Sequence, residues 1–141
     1  VIFNDLYHSG KIELELVPQG TLAERMRAGG SGLGGILTPT GLGTEIAEGK
    51  PHIDVDGKTY VLEKALRADI ALVKAHNVDL RGNLTYRLAA RNFNPVMAMA
   101  AEHTIAQVSA EVPLGGIDPE SVHTPGVYVD TYVIDKGEYD E

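Results

Sequence analysis

Charged and apolar positions alternate strictly along Lys11-Ile12-Glu13-Leu14-Glu15-Leu16-Val17. An extended chain puts the two sets on opposite faces, so the pattern predicts a strand with Ile12, Leu14 and Leu16 toward a core. It runs into a Pro18-Gln19-Gly20 turn. Ahead of it, Ile2, Phe3, Leu6 and Tyr7 recur at near-helical spacing and stop at Gly10, as at the end of a helix. Behind it, Leu22 and Met26 share a helix face one turn apart, flanked by Arg25 and Arg27. Thr21 and Glu24 fit a capping box at that helix's start, and Gly29 and Gly30 suit a left-handed ending.

Farther along, Ile53-Asp54-Val55 and Lys58-Thr59-Tyr60-Val61-Leu62 flank Asp56-Gly57, which supplies the positive φ angles of a type I′ hairpin turn. Asp69-Ile70-Ala71-Leu72-Val73 is a short continuous apolar run, predicted to be a strand buried on both faces. A turn at Arg81-Gly82-Asn83 precedes a short strand, Leu84-Thr85-Tyr86. Asn94-Pro95 provides an N-cap and a proline at the first position of a helix reaching about Glu102. Thr104 to Val108 returns as a strand, Asp118-Pro119-Glu120-Ser121 caps one helical turn, and Val127 to Val133 alternates as the last strand. Glu138 to Glu141 reads as a frayed acidic end. Strands interleaved with short helices predict a single α/β domain over residues 1–141.

One stretch breaks the pattern. Seven of the fifteen residues from Gly29 to Gly43 are glycine, with Leu33, Ile36, Leu37 and Leu42 threaded between them. A segment both glycine-rich and apolar predicts close packing against a ligand or another chain. Gly30-Ser31-Gly32-Leu33-Gly34-Gly35 spells G-x-G-x-x-G, and Asp54 and Asp56 follow at a suitable distance. A dinucleotide fingerprint, however, follows a strand and opens a helix. Here the glycines follow a helix, and the dinucleotide reading fails on context.

Composition narrows the chemistry. The 141 residues carry a net charge of −8 with no cluster of Lys and Arg, which argues against nucleic acid and anionic membrane surfaces as partners. With no cysteine, the chain offers no disulfide, thiolate metal site or thiol nucleophile. No apolar run reaches the length of a membrane span, and a cytoplasmic location is the default expectation. His8, His52, His76, His103 and His123 are scattered, pointing to surface or capping roles rather than a metal site. Ser31 lacks the glycine that would complete a nucleophile elbow, because Leu33 holds that position. Met97 and Met99 suit gaps in a core. Gln19 stands apart: it ends a strand in a tight turn before a helix, where α/β sheets collect ligands. Its amide can orient a carboxylate or acyl oxygen without adding charge; the alternative is that it only ties the turn together.

Four ordered blocks stand together: Pro18-Gln19-Gly20-Thr21-Leu22-Ala23-Glu24-Arg25, Arg27-Ala28-Gly29-Gly30-Ser31-Gly32, Leu37-Thr38-Pro39-Thr40-Gly41 and Arg91-Asn92-Phe93-Asn94-Pro95. With Thr124-Pro125-Gly126-Val127 near the end, they resemble the A (alpha) subunit of family I CoA-transferases of the acetate/3-oxoacid type. The resemblance implies an α/β fold with an open, mostly parallel sheet, short helices and a β-hairpin. It also implies a B (beta) subunit of related fold in an A2B2 hetero-oligomer. The implied reaction moves CoA from an acyl-CoA to a short-chain carboxylic acid such as acetoacetate, with coenzyme A as substrate and no tightly bound cofactor.

In that family the nucleophile is a Glu of the B subunit, in a Ser-Glu-Asn-Gly type motif absent here. The resemblance therefore implies no catalytic residue in this chain. Gln19 matches the family's glutamine that faces the reacting acyl group, and Gly29, Gly30 and Gly32 match the glycine segment lining the cleft between subunits. The family's upstream Gly-Gly-Phe loop does not appear, so the sequence looks like the C-terminal two thirds of an A (alpha) subunit. Two other readings are a non-catalytic binding or scaffold domain of the same fold, and a sugar-phosphate isomerase-like relative. The latter would need Lys or Arg in the glycine loop, and there is none between Ala28 and Glu45.

Overall fold

The computed structural model describes residues 2–135. After α1 (Ile2–His8) and α2 (Gln19–Gly30) come β1 (Gly35–Thr38), β2 (His52–Val55) and β3 (Lys58–Lys64), which form an antiparallel sheet in the order β1-β3-β2. A larger sheet follows from β4 (Ala68–Asp79), β5 (Leu84–Thr85), β6 (Ala101–Val112) and β7 (Thr131–Ile134), in the order β5-β4-β6-β7. Its long central pair runs parallel from Ala68 opposite Ala101 to Asp79 opposite Val112, and β7 joins β6 in parallel. Only β5 is antiparallel, so the larger sheet is mostly parallel as expected.

A crossover helix, α3 (Asn94–Ala100), connects the strands and packs on one face of β4. The core beneath it joins Ala71, Val73, Ala75 and Val78 of β4 with Ala106 and Val108 of β6, closed by Leu84, Tyr86 and Ala98. Alanines on both layers let helix and sheet approach closely, and the larger aliphatic side chains contribute about 1.5–3 kcal/mol each by leaving water. Met26, Val96 and Ala100 form a second cluster with Leu22, Leu66, Phe93 and Met97. That cluster binds α2 to α3 and thereby the small sheet to the large one.

Several elements match the sequence pattern. The first helix, the shared face of Leu22 and Met26, the short strand at Leu84, and the turn at Pro119–Ser121 capped by Asp118 are all present. The hairpin has positive φ at both Asp56 (50°) and Gly57 (76°), as a type I′ turn requires.

Other expectations are corrected. Residues 11–17 are not a strand: the segment is irregular, with Leu14 and Leu16 exposed. Alternation assigns faces, but a strand also needs a neighbouring edge, and no described strand pairs with it. The apolar run at Asp69–Val73 belongs to a longer strand that is buried on one face only. Ala71 and Val73 are 5% and 3% exposed, whereas Ile70 and Leu72 are 59% and 69% exposed. The glycine-rich stretch also holds a strand, β1, in place of the wholly irregular segment expected there. The last strand begins only at Thr131, because Gly126–Tyr128 form a 3-10 turn that leaves Val127 outside. The acidic end falls outside the described residues.

The helix ends also differ. No capping box forms, since α2 already starts at Gln19, Thr21 is buried and Glu24 pairs with Arg27 at 3.2 Å. Gly29 and Gly30 lie inside the helix, and the left-handed residue is Gly32 (φ 73°). Its N–H donates to the Gly29 carbonyl and that of Leu33 to the Ala28 carbonyl, the paired bonds of a Schellman ending. Asn94 is the first residue of α3 rather than its cap. Its side chain exchanges hydrogen bonds with the Lys74 backbone of β4 instead, fixing the helix to the sheet.

Candidate functional site

The start of α2 and the strand β1 form the walls of a groove of about 530 Å³. Pro18, Gly20, Thr21 and Glu24 supply one wall; Ile36 and Thr38 supply the other, with Thr40 beyond them. Three features of the local sequence build it. Pro18 ends the extended approach with φ −56° and ψ 138° and caps the helix without a side-chain hydrogen bond, so the first-turn N–H groups lack an intrahelical acceptor. Gly20 adds no side chain to its wall. Gly35 lets β1 pair tightly with β3, where a Cβ would stand 2.5 Å from the Glu63 carbonyl oxygen.

The groove is lined by aliphatic carbons, threonine hydroxyls and one carboxylate, Glu24, which is half exposed and held by Arg27. Such a lining can seat a small acyl group and hydrogen-bond its oxygens. It does not pair a nucleophile with a base.

The structure separates the residues singled out in the sequence. Gln19 is exposed as the first residue of α2, between two residues that line the groove. Gly29 and Gly30 sit at the far end of the same helix, roughly 15 Å away at 1.5 Å per residue. Gly29 is buried against the Leu66 carbonyl, and a Cβ on Gly30 would stand 2.6 Å from the Met99 Cβ. The close packing read from the glycines is therefore, at these positions, packing within this chain. Gly32 is exposed beyond the helix, with no atom of the chain within 4 Å of where its Cβ would be. What sequence reading missed is the β1 wall. Its signal was present in Ile36-Leu37-Thr38, three residues suited to a strand between a glycine pair and a proline.

Three titratable groups with shifted pKa values, Asp79, Tyr86 and His123, lie outside the groove, in a brace at one end of the larger sheet. Burial pushes the Asp79 carboxyl up, but hydrogen bonds from the Asn83 side chain and from the Asn83 and Arg81 N–H groups, with the Arg81 charge, bring it below its usual 3.8. Asn83 in turn accepts from the Gly126 N–H at 2.9 Å. Burial raises the Tyr86 hydroxyl, which meets the Thr124 hydroxyl at 2.8 Å. His123 stacks on the Tyr86 ring, and its Nδ1 accepts the Tyr86 N–H. Burial first, then the Arg91 charge, lowers the imidazole below 6.5. These groups hold Thr124-Pro125-Gly126 against the β4–β5 turn.

Residues 1–135 match the family described as Coenzyme A transferase. The chain is 62% identical over 128 residues to the A (alpha) subunit of the 3-oxoadipate CoA-transferase of Acinetobacter baylyi, covering 91% of this chain and 56% of the relative. It is 54% identical to the A (alpha) subunit of the probable succinyl-CoA:3-ketoacid coenzyme A transferase of Bacillus subtilis, covering 94% of this chain and 56% of that one. The chain thus spans about half the length of these curated relatives. Among solved structures, an acyl-CoA transferase from Escherichia coli O157:H7, in a thioester complex with CoA, superimposes with a TM-score of 0.81. It is 27% identical, over 96% of this chain and 30% of that one. No helix among the described residues is long and apolar enough to cross a membrane.

Proposed function

The chain belongs to the coenzyme A transferase family, and from that premise we propose that it forms the A-type part of an enzyme moving CoA from an acyl-CoA to a short-chain 3-oxo acid. The observation that carries this reading is the match over residues 1–135, together with 62% identity to the A-type chain of a 3-oxoadipate CoA-transferase. Acetate, acetoacetate and 3-oxoadipate are the acids to compare.

The similarity to A-type subunits implies that the reacting carboxylate comes from a B-type partner, and the groove between α2 and β1 would seat the acyl group. In the proposed reaction a partner glutamate attacks the thioester carbonyl, the C–S bond breaks, and CoA leaves as thiolate from an acyl-glutamyl anhydride. The thiolate attacks the glutamyl carbonyl and expels the first acid as its carboxylate. The acceptor carboxylate then attacks the glutamyl-CoA thioester, expelling the thiolate and giving a second acyl-glutamyl anhydride; the thiolate attacks its acyl carbonyl and frees the glutamate carboxylate. Each step exchanges one acyl bond for another, which is covalent catalysis with ping-pong kinetics. CoA takes part as a substrate, and no tightly bound cofactor is required.

In this assembly, A2B2, Gln19 donates its amide N–H to the acyl or carboxylate oxygen at the mouth of the groove. Gly32 turns the chain on the cleft side, while Gly29 and Gly30 seat α2 against Leu66 and Met99. The test is to purify the native complex, weigh it intact and follow CoA transfer from succinyl-CoA to each acid, trapping the CoA adduct by mass spectrometry. The expected adduct lies on a partner glutamate. An adduct on this chain, or a complex that assembles but transfers nothing, overturns the reading; the second result favours a scaffold role.

A further inference from the structure

A chain of alternating charges runs behind the groove. The Glu63 carboxylate, 2% exposed on β3, holds the Lys50 ammonium at 2.7 Å. Lys50 lies 4.0 Å from Glu15, and Glu15 accepts from the Arg25 guanidinium of α2 at 3.0 Å. Arg25 also donates to the Lys64 carbonyl at 2.8 Å. Four charges of alternating sign thus connect β3, the loop before β2, the irregular segment ahead of α2, and α2 itself.

The placement is specific to the groove. Glu63 pairs with Ile36 and Val61 pairs with Thr38 across the β1–β3 ladder, so the buried carboxylate shares a sheet face with two wall residues. Glu15 stands four residues before Gln19, where Pro18 offers no side-chain cap. With neither strand pairing nor a cap to orient residues 15–18, the ion pairs add to the burial of Thr21 and the packing of Leu22 in holding the start of α2. A buried ion pair is a poor way to gain stability, because desolvation offsets most of the attraction and apolar side chains do as well. It does fix geometry, since a charge has few acceptable places to sit.

We propose that Glu63, Lys50 and Glu15 are positioning residues that set the first turn of α2, and with it Gln19, against β1. This deepens the reading of Gln19 given above and rests on it. Neither Lys50 nor Glu63 lines the groove itself; they act through the helix start.

The test uses the assembled complex carrying Lys50→Met, Lys50→Arg, Glu15→Ala, Gln19→Ala and the Lys50→Met/Gln19→Ala pair. Glu15 is exposed, so Glu15→Ala keeps the test open should Lys50→Met fold poorly. Amide hydrogen exchange at Leu22, whose N–H donates to the Pro18 carbonyl, is expected to quicken about tenfold in Lys50→Met and Glu15→Ala and to return to the wild-type rate in Lys50→Arg. Turnover is expected to fall about tenfold in Lys50→Met, with no further loss in the pair beyond Gln19→Ala alone. Unchanged exchange, or the same loss from Lys50→Met in both backgrounds, overturns the inference. Wild-type turnover in Gln19→Ala strikes at the role of Gln19 instead, and exchange at Leu22 still decides the role of Lys50.

Discussion

Gly29 lies directly against the Leu66 carbonyl, closer than any side chain would permit. The contact sits where α2 passes the link between the two sheets, and the Leu66 N–H donates to the Arg25 carbonyl beside it at 2.9 Å. Because the obstructing atom is backbone, Gly29→Ala can be relieved only by moving α2. It is expected to cost about 2–3 kcal/mol, the upper part of the range for overpacking. Gly34, with no atom within 4 Å of its Cβ position, is the control, and Gly34→Ala should stay within about 0.5 kcal/mol. Urea unfolding of the two variants decides it, and equal costs would show that the helix has room to shift.

That pair also shows where sequence reading stops. The density of glycine around Gly29 was plain, and so was the implication of close approach; what the glycines approached was not. Local pattern located α2, the hairpin and the first parallel strand because each leaves a signature, in Leu22 and Met26, in Asp56-Gly57, or in the continuous apolar run of residues 69–73. The failures are non-local. Residues 11–17 carry a strand's alternation without a described partner edge, and Ile70 and Leu72 were read as buried because an apolar run says nothing about what covers it. Beside the groove, the Pro18-Gln19-Gly20 turn leading into α2 was legible. The β1 wall and the Glu63–Lys50 pair were not, since both depend on which strands become neighbours.

The buried hydroxyls of Tyr86 and Thr124 satisfy each other at 2.8 Å. Tyr86→Phe and Thr124→Val each strand one of them, and each should cost about 1–2 kcal/mol. Replacing both removes the unmet need along with the bond. The double variant should therefore be more stable than the sum of the singles predicts, by about 1 kcal/mol. Additive losses in chemical denaturation would mean that each hydroxyl has another partner.

His123 makes stability depend on pH with a definite sign. Burial, then Arg91, lowers its folded-state pKa below 6.5, so on acidification the unfolded chain takes up that proton first. The contribution is complete above pH 6.5 and is lost as pH falls through the folded-state value. Protonation puts a hydrogen on the Nδ1 that accepts the Tyr86 N–H, which breaks that bond. His123→Asn keeps an acceptor and removes the titration, so its melting temperature should vary less between pH 6.5 and 5. Asp79 adds a separate loss below pH 3.8, where its depressed carboxyl finally protonates.

Gln19 is exposed, stands between two groove-lining residues and is absent from both core clusters, so removing its amide leaves packing alone. Gln19→Ala should therefore assemble normally and melt within about 0.5 kcal/mol of the wild type. If the amide donates to the oxygen on which charge develops during acyl transfer, the loss falls on kcat rather than KM. Roughly tenfold, about 1.4 kcal/mol, is the expected size for one exposed neutral hydrogen bond. Gln19→Glu should lose more, because a carboxylate facing the developing charge repels it where the amide attracted it. Steady-state kinetics of the two complexes settle the matter: a raised KM with unchanged kcat would assign Gln19 to uniform substrate binding, and wild-type values in both would return it to the plain role of a helix's first residue.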